Sequence, residues 1–225
     1  MSDWWTYRPQ DLLLFSPRVY WRMFELHNAA FWPLHVLTLA IGFGLVMLVS
    51  FRPRGSGPWI AFALAALWAF VAWSFLWHRF AAINWAITYV VPLFGLQALM
   101  LAIGGWSRGL VFDRKDIAAR IGLLLALAGI FAYPLLPSFF GRPWTSAETF
   151  GLAPDPTAVV ALGFLLTAGG GLTLPLLVIP VFWLLLSGIT LRTMGDPQAW
   201  MPFSATAIAV GVLVVRRILS ASRRG

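Results

Sequence analysis

Phe150-Gly-Leu-Ala-Pro-Asp-Pro-Thr-Ala-Val-Val-Ala-Leu-Gly-Phe-Leu-Leu166 passes from a proline-framed acidic corner straight into an apolar run. Asp155 is a residue type that caps helices, and Pro156 suits a first helical position, where a missing N–H costs little. The stretch therefore predicts a helix capped by Asp155 that carries the chain from a polar rim into a membrane. The run is short. Counted from residue 156 to 171 it rises about 24 Å at about 1.5 Å per residue. The hydrocarbon of a bilayer is about 30 Å thick. Either the bilayer thins there, or the corner at residues 154–157 lies below the membrane surface, buried in protein. The second arrangement requires that the freed backbone groups find partners. Gly169, Gly170 and Gly171 then make a tight turn into the next apolar run.

The rest of the chain has the same character. Of 225 residues, 60% are hydrophobic and 11% charged, against about 25% charged in soluble domains. Such a chain cannot cover its surface with polar groups in water, and long uncharged runs recur to its end. The fold class expected is all-α: a polytopic transmembrane bundle of about seven spans. The net charge of +8 comes from 16 basic against 8 acidic residues. The arginines are scattered between apolar runs instead of clustered on one soluble face, so they read as topology signals and lipid contacts and not as a nucleic-acid surface. The absence of cysteine removes disulfides, thiolate metal sites and cysteine nucleophiles. The first twenty residues contain no apolar core of signal-peptide length.

Three regions follow. Residues 1–32 form an N-terminal arm. Ser16-Pro17 reads as an N-cap and first helical position. Tyr20, Met23, Phe24 and His27 then fall on one side at helical spacing, with Arg18, Arg22 and Glu25 on the other. This predicts an amphipathic helix lying in the membrane interface. Trp4, Trp5, Tyr7 and Trp21 suit an aromatic belt there. Residues 33–219 hold the spans, at about 33–51, 59–77, 85–103, 117–136, 157–168, 172–191 and 202–219. Pro92 is expected to kink the third of these runs, and Pro175 and Pro180 the sixth. Residues 220–225 are a basic tail. With the spans so numbered, Arg52, Arg54, Arg108, Arg114, Lys115, Arg120, Arg216, Arg217, Arg223 and Arg224 share one side. Arg8, Arg18, Arg22, Arg79, Arg142 and Arg192 share the other. The positive-inside rule puts the first set in the cytoplasm. In a bacterial inner membrane the N-terminus would face the periplasm and the C-terminus the cytoplasm.

That threading sends nearly all unusual polar residues to the outer rim: His27, Asn28, His35, His78, Arg79, Asn84, Arg142, Glu148, Asp155, Arg192, Asp196 and Gln198. His27, His35 and His78 are the candidate cofactor ligands, since outer-side histidines on different helices can hold a haem, a chlorophyll-type macrocycle or a metal. They equally suit interfacial hydrogen bonds to backbone, lipid or a neighbouring Asn. On one unbroken helix His27 and His35 would stand about 12 Å and roughly 80° apart, but Pro33 lies between them. No HExxH or similar metal spacing occurs. Asp155-Pro156 and Asp196-Pro197 read as two helix caps. Alternatively, Asp155 is an intramembrane carboxylate pairing with Arg142 or Arg79. Gln97, Thr88 and Ser74, inside spans, are expected to make interhelical hydrogen bonds.

These residues resemble a bacterial multi-pass membrane family, domain of unknown function 6064. The resemblance rests on Asn28-Ala-Ala-Phe-Trp-Pro33, Ile83-Asn84 with Gln97, Tyr133-Pro134, Phe150-Gly-Leu-Ala-Pro-Asp-Pro-Thr157 with Leu162-Gly163, Val178-Ile-Pro180 with Trp183, and Gly195. It covers roughly residues 24–215, and the middle motif is its most specific part. The family pattern commonly has Cys where this chain has Asp155, so any role of that thiol is absent here. The resemblance implies the class without an activity.

Three functions compete. The first is an accessory or scaffold subunit of a larger membrane complex, respiratory or photosynthetic. It rests on the Trp-rich arm, the small extramembrane loops and the lack of a catalytic constellation. Its partners would be the lipid bilayer and other membrane subunits. The second is a small transporter or channel-like protein, motivated by the prolines and the short fifth span, although almost no charge lies inside the spans. The third is a haem- or pigment-binding protein using the outer histidines. The sequence names no cofactor.

Overall fold

The computed structural model of the chain describes residues 13–107, 109–113 and 115–222. Trp4, Trp5, Tyr7, Arg8, Arg108, Arg114, Arg223 and Arg224 lie outside the described residues. The described chain is an all-α bundle. Helix α1 (Pro17–Ala30) starts as its sequence dictates: the Ser16 hydroxyl accepts the Val19 amide proton at 3.3 Å, with Pro17 in the first turn. It buries Tyr20, Trp21, Met23, Phe24 and His27 and exposes Arg18 and Arg22. The expected amphipathic helix is there, but its apolar face is not laid on lipid. Phe24 packs on Phe75 at 4.7 Å between ring centroids, and Tyr20 on Phe80 at 5.7 Å. The arm's helix is thus a packed element of the bundle.

Helix α2 (Leu34–Phe51) follows α1 as a distinct element, with a cis Trp32–Pro33 peptide in the connection. His27 and His35 accordingly sit on separate helices. Helix α3 (Ser56–Phe80) ends in nine residues of π-helix, and α4 (Val91–Trp106) follows a 3-10 turn at Trp85–Tyr89. Helix α5 (Ile117–Phe139) is α-helical to Leu127, then π-helical over Ala128–Ala132. Helices α6 (Pro154–Thr167), α7 (Thr173–Thr193) and α8 (Trp200–Ser222) complete the bundle. Six helical stretches are long and apolar enough to cross a membrane; the exceptions are α1 and α6, with 14 residues each.

Every residue of α6 is buried. It lies at the centre of the bundle, against α5, because both helices carry glycine where they touch. A Cβ on Gly122 would run into the Gly163 carbonyl, and one on Gly163 would come within 2.6 Å of the Ala126 nitrogen. Small residues let membrane helices approach to backbone contact, where packing rather than hydrophobicity drives association. The corner before α6 is buried in protein, the feature that the second of the two arrangements calls for. The segment before it folds down into the bundle, with residues 148–153 all buried. Phe150 lies against Gly42 of α2, and Gly151, at φ +78°, against Thr38 and Leu67. The backbone of this corner is paired as burial requires. Gly151 N–H donates to Thr157 Oγ1 at 2.8 Å, that hydroxyl donates to the Ala153 carbonyl at 2.6 Å, and the Leu152 and Ala153 amides both reach the Thr149 carbonyl.

The far end of α6 meets the loop between α4 and α5, where Val111 and Gly169 exchange both backbone hydrogen bonds. Arg216 of α8 reaches the same end, donating to Leu166 O and Asp116. The chain from α2 onward therefore alternates between two ends. One end holds α1, the α3–α4 turn, the 140–153 segment and the α7–α8 turn. The other holds residues 52–56, 107–116 and 168–172.

The prolines divide differently from expectation. Pro92 and Pro175 sit in the first turns of α4 and α7, where proline costs no hydrogen bond, so neither kinks a helix. Pro180 alone lies inside α7. It leaves the Leu176 carbonyl without its usual i+4 donor. Gln97 of α4 supplies the missing N–H, Nε2 to Leu176 O at 2.9 Å. Thr88 makes only a local bond to Trp85 O, and the buried Ser74 hydroxyl has no partner, so the interhelical bonds expected of those two are not formed.

Candidate functional site

Helix α6 begins one residue before the expected cap, at Pro154, and Ala153 is the residue flanking it, without a side-chain hydrogen bond. Proline's fixed φ suits that first turn. Asp155 is consequently not a cap: its carboxylate turns inward and is 1% exposed. Oδ1 accepts from Trp183 Nε1 at 2.7 Å; Oδ2 accepts from Ser187 Oγ at 2.6 Å and from Tyr133 OH at 3.3 Å. Trp183 and Ser187 are four apart on α7 and so share a face; Tyr133 follows the π-helical stretch of α5. The expected partners Arg142 and Arg79 do not reach Asp155. Three neutral donors from two neighbouring helices hold it.

Glu148 lies in the inward-folded segment and is 2% exposed. It accepts from the Gln198 amide, whose oxygen accepts from the Arg142 guanidinium. That guanidinium stacks on the Trp21 ring, 3.4 Å from its centroid. Trp21 Nε1 donates to Asp196 Oδ2 at 2.9 Å, and Asp196 Oδ1 caps the short Pro197–Ala199 turn by accepting from Gln198 N at 2.8 Å. The contacts close a ring: Gln198, Arg142, Trp21, Asp196 and back to Gln198. Asp196 thus is the cap its sequence announced. Burial pushes the Glu148 carboxyl well above the usual range, nearby Asp155 adds to the rise, and Arg142 and Gln198 oppose it. Burial lowers Arg142, opposed by Glu148 and Asp196. Burial also raises the Tyr20 phenol, and Asp155, Glu148 and Asp196 raise it further.

Asn28 fastens the end of α1. Its Nδ2 donates to the carbonyls of Thr145 (2.7 Å) and Ala147 (2.8 Å), and its Oδ1 meets His35 Nε2 at 3.1 Å. His27 is 1% exposed, packed between Phe31 and Phe75, and neither ring nitrogen has a well-aligned hydrogen bond. Its pKa is lowered to about 4, chiefly by burial with Arg79 and His35 adding to the drop, and the Leu152 backbone opposes it.

The structure therefore brings Asn28, Arg142, Glu148, Asp155 and Asp196 to one polar region at the end of the bundle that holds α1. Arg79, Asn84 and Arg192 stand apart from it. Asn84 caps the 85–89 turn, accepting from Ala86 N at 3.1 Å. Arg192 is exposed, and Arg79 lines a cleft beside α1. The three histidines do not share a ligand position. His35 Nε2 is held by Asn28, while His78 stands edge-on to Trp73 at 5.2 Å and faces the cleft with Arg79. No group of three metal-type ligands occurs among the described residues. The partners of the carboxylates were less visible in the sequence. Tyr20 and Trp21 read as an apolar face and a belt, and Tyr133 and Trp183 only as pieces of the resemblance. Ser187 carried one signal, its four-residue spacing from Trp183.

Six long apolar helices around a short buried one, with exposed tryptophans at both ends (Trp77, Trp85 and Trp144 at one, Trp59 and Trp106 at the other), are compatible with a multi-pass membrane protein. More particularly, the chain belongs to a family: the model described as "Family of unknown function (DUF6064)" matches residues 17–224. No curated protein and no solved structure matches it.

Proposed function

We propose that the protein is a membrane-integral accessory subunit, a scaffold that holds other membrane subunits and performs no chemistry of its own. The observation that supports this reading is where the rim's polar side chains spend their hydrogen bonds. Asp155 is held by Ser187, Trp183 and Tyr133; Glu148, Gln198 and Arg142 bind one another; and Asn28 binds the backbone of the 140–153 segment, which together pin α1 and that segment onto the bundle. Arg142 Nε and Nη1 are buried without a partner, but the bonds that the network does make run between its own members and help to fix one arrangement of helices. A scaffold needs that, and its working surface is then its apolar, aromatic exterior. The sequence order of the apolar runs assigns ten basic residues to one side and six to the other. The positive-inside rule then favours a bacterial cytoplasmic membrane with the rim periplasmic and the C-terminus cytoplasmic. Extraction in a mild detergent tests the reading. A particle much larger than 24.9 kDa, with other integral proteins in fixed ratio, is expected. A monodisperse monomer or homodimer contradicts it.

One observation favours a second reading, a small proton-linked transporter. Glu148 is buried beside Asp155, and ionisable groups inside a membrane bundle usually serve transport. Flux in proteoliposomes that is abolished by Asp155→Asn supports it; flux that is absent, or unchanged in the variant, removes it.

A further inference from the structure

A cleft of about 760 Å³ opens at the rim between α1 and the end of α3. It shares Trp21 with the Glu148 network but otherwise carries a different chemistry. Arg18 and Arg22, four apart on α1, face it from one side, and Arg79 from the other. The only carboxylate in its lining is Glu25, which pairs with Arg22 at 2.5 Å. Three guanidiniums against one carboxylate leave a surplus of two positive charges. Neither Arg18 nor Arg79 has an ion pair among the described residues. The remaining wall, His78 and the Trp21 ring apart, is apolar: Leu26 and Ile83 among others. Trp73, Trp77 and Trp85, all more than half exposed, stand at the same end. Exposed tryptophans mark the headgroup level of a bilayer.

Basic groups over an apolar wall, at headgroup depth, match an amphiphilic anion. Guanidiniums recognise phosphate by paired charge-assisted hydrogen bonds, and the volume is within the range of small-ligand sites. We propose that the cleft binds the phosphate of an anionic membrane phospholipid. Arg18 and Arg79 hold the phosphate oxygens, and an acyl chain leaves along Leu26 and Ile83. A bound lipid would bridge α1 to α3 from outside, as the aromatic contacts of Tyr20 and Phe24 do from inside.

The test uses the full chain purified in mild detergent, delipidated and read by native mass spectrometry against added phosphatidylglycerol, phosphatidylcholine and inorganic phosphate. Phosphatidylglycerol is expected to form a one-to-one adduct at least tenfold more readily than phosphatidylcholine. The double variant Arg18→Gln, Arg79→Gln should lose that preference, and Arg192→Gln, a rim arginine outside the cleft, should keep it. Equal binding of the two lipids by the unaltered protein overturns the proposal without reference to any variant. So does an unchanged preference in the double variant. Displacement of the lipid by an equal concentration of inorganic phosphate assigns the site to the free anion and overturns the lipid.

Discussion

Replacing Gln97 by Met in two backgrounds tests whether Gln97 exists to serve Pro180. In the natural chain Gln97→Met strips the Leu176 carbonyl of the side-chain donor that stands in for its missing i+4 N–H, and the proline there cannot replace it. An orphaned buried acceptor costs about 1–3 kcal/mol. The same change also removes Gln97 Oε1, which is buried without a partner, so relief of that atom offsets part of the loss. The single variant alone therefore decides little. In a Pro180→Ala background, the new alanine N–H takes up the Leu176 carbonyl, and Gln97→Met keeps the relief while losing nothing at the carbonyl. The cost of Gln97→Met should thus be greater with Pro180 in place than in the Pro180→Ala background by about 1 kcal/mol, the scale of side-chain hydrogen bonds between membrane helices. Unfolding in mixed detergent and SDS micelles measures all four proteins. Equal effects in the two backgrounds, within about 0.5 kcal/mol, would refute the pairing of donor and proline.

Asp155→Asn should unfold close to the natural protein, because the Ser187 and Tyr133 hydroxyls can reverse to accept from the new amide while Trp183 keeps its oxygen. Asp155→Leu leaves those donors buried without a partner and should cost about 2–5 kcal/mol in the same micelle titration. Gly163→Ala drives a Cβ into the α5 backbone and should lower stability by about 1–3 kcal/mol or prevent folding, whereas Gly44→Ala, with open space around it, should be neutral in a thermal melt. His27, at about 4 in the folded protein against 6.5 unfolded, favours the folded state fully above pH 6.5 and progressively less as pH falls towards 4, a loss of about 3 kcal/mol. The raised pKa of Glu148 acts oppositely, since acid relieves its buried charge. Protease release of α1 should accordingly rise between pH 6.5 and 4 in the natural chain and rise much less in His27→Phe.

Helix count and the two ends of the bundle were legible because long apolar runs and scattered arginines report directly on the membrane, and the alternation of sides follows from that. The caps at Ser16 and Asp196 were legible because a cap is a local event, decided within three residues. Asp155 was not, although its sequence looks like that of Asp196. What separates them is the start of the helix one residue earlier, at Pro154, and the donors waiting on α5 and α7, which lie 22 to 32 residues away in the chain. The shortness of α6 was the sequence's one hint that the corner before it is buried. The role of α1 was half legible. Its apolar face was plain, but periodicity does not distinguish a lipid surface from Phe75 and Phe80.

Because the chain has no native cysteine, single cysteines read its threading directly. Ser16→Cys at the rim, Ser107→Cys at the opposite end and Thr149→Cys in the inward-folded segment, each probed in intact cells with a membrane-impermeant maleimide, form one measurement. Labelling of Ser16→Cys alone, with Ser107→Cys reached only after the membrane is opened and Thr149→Cys only after denaturation, is the expected pattern. Labelling of positions 16 and 107 from the same side, or ready labelling of position 149 in the folded protein, would contradict a chain that alternates between two faces and buries its acidic corner between them.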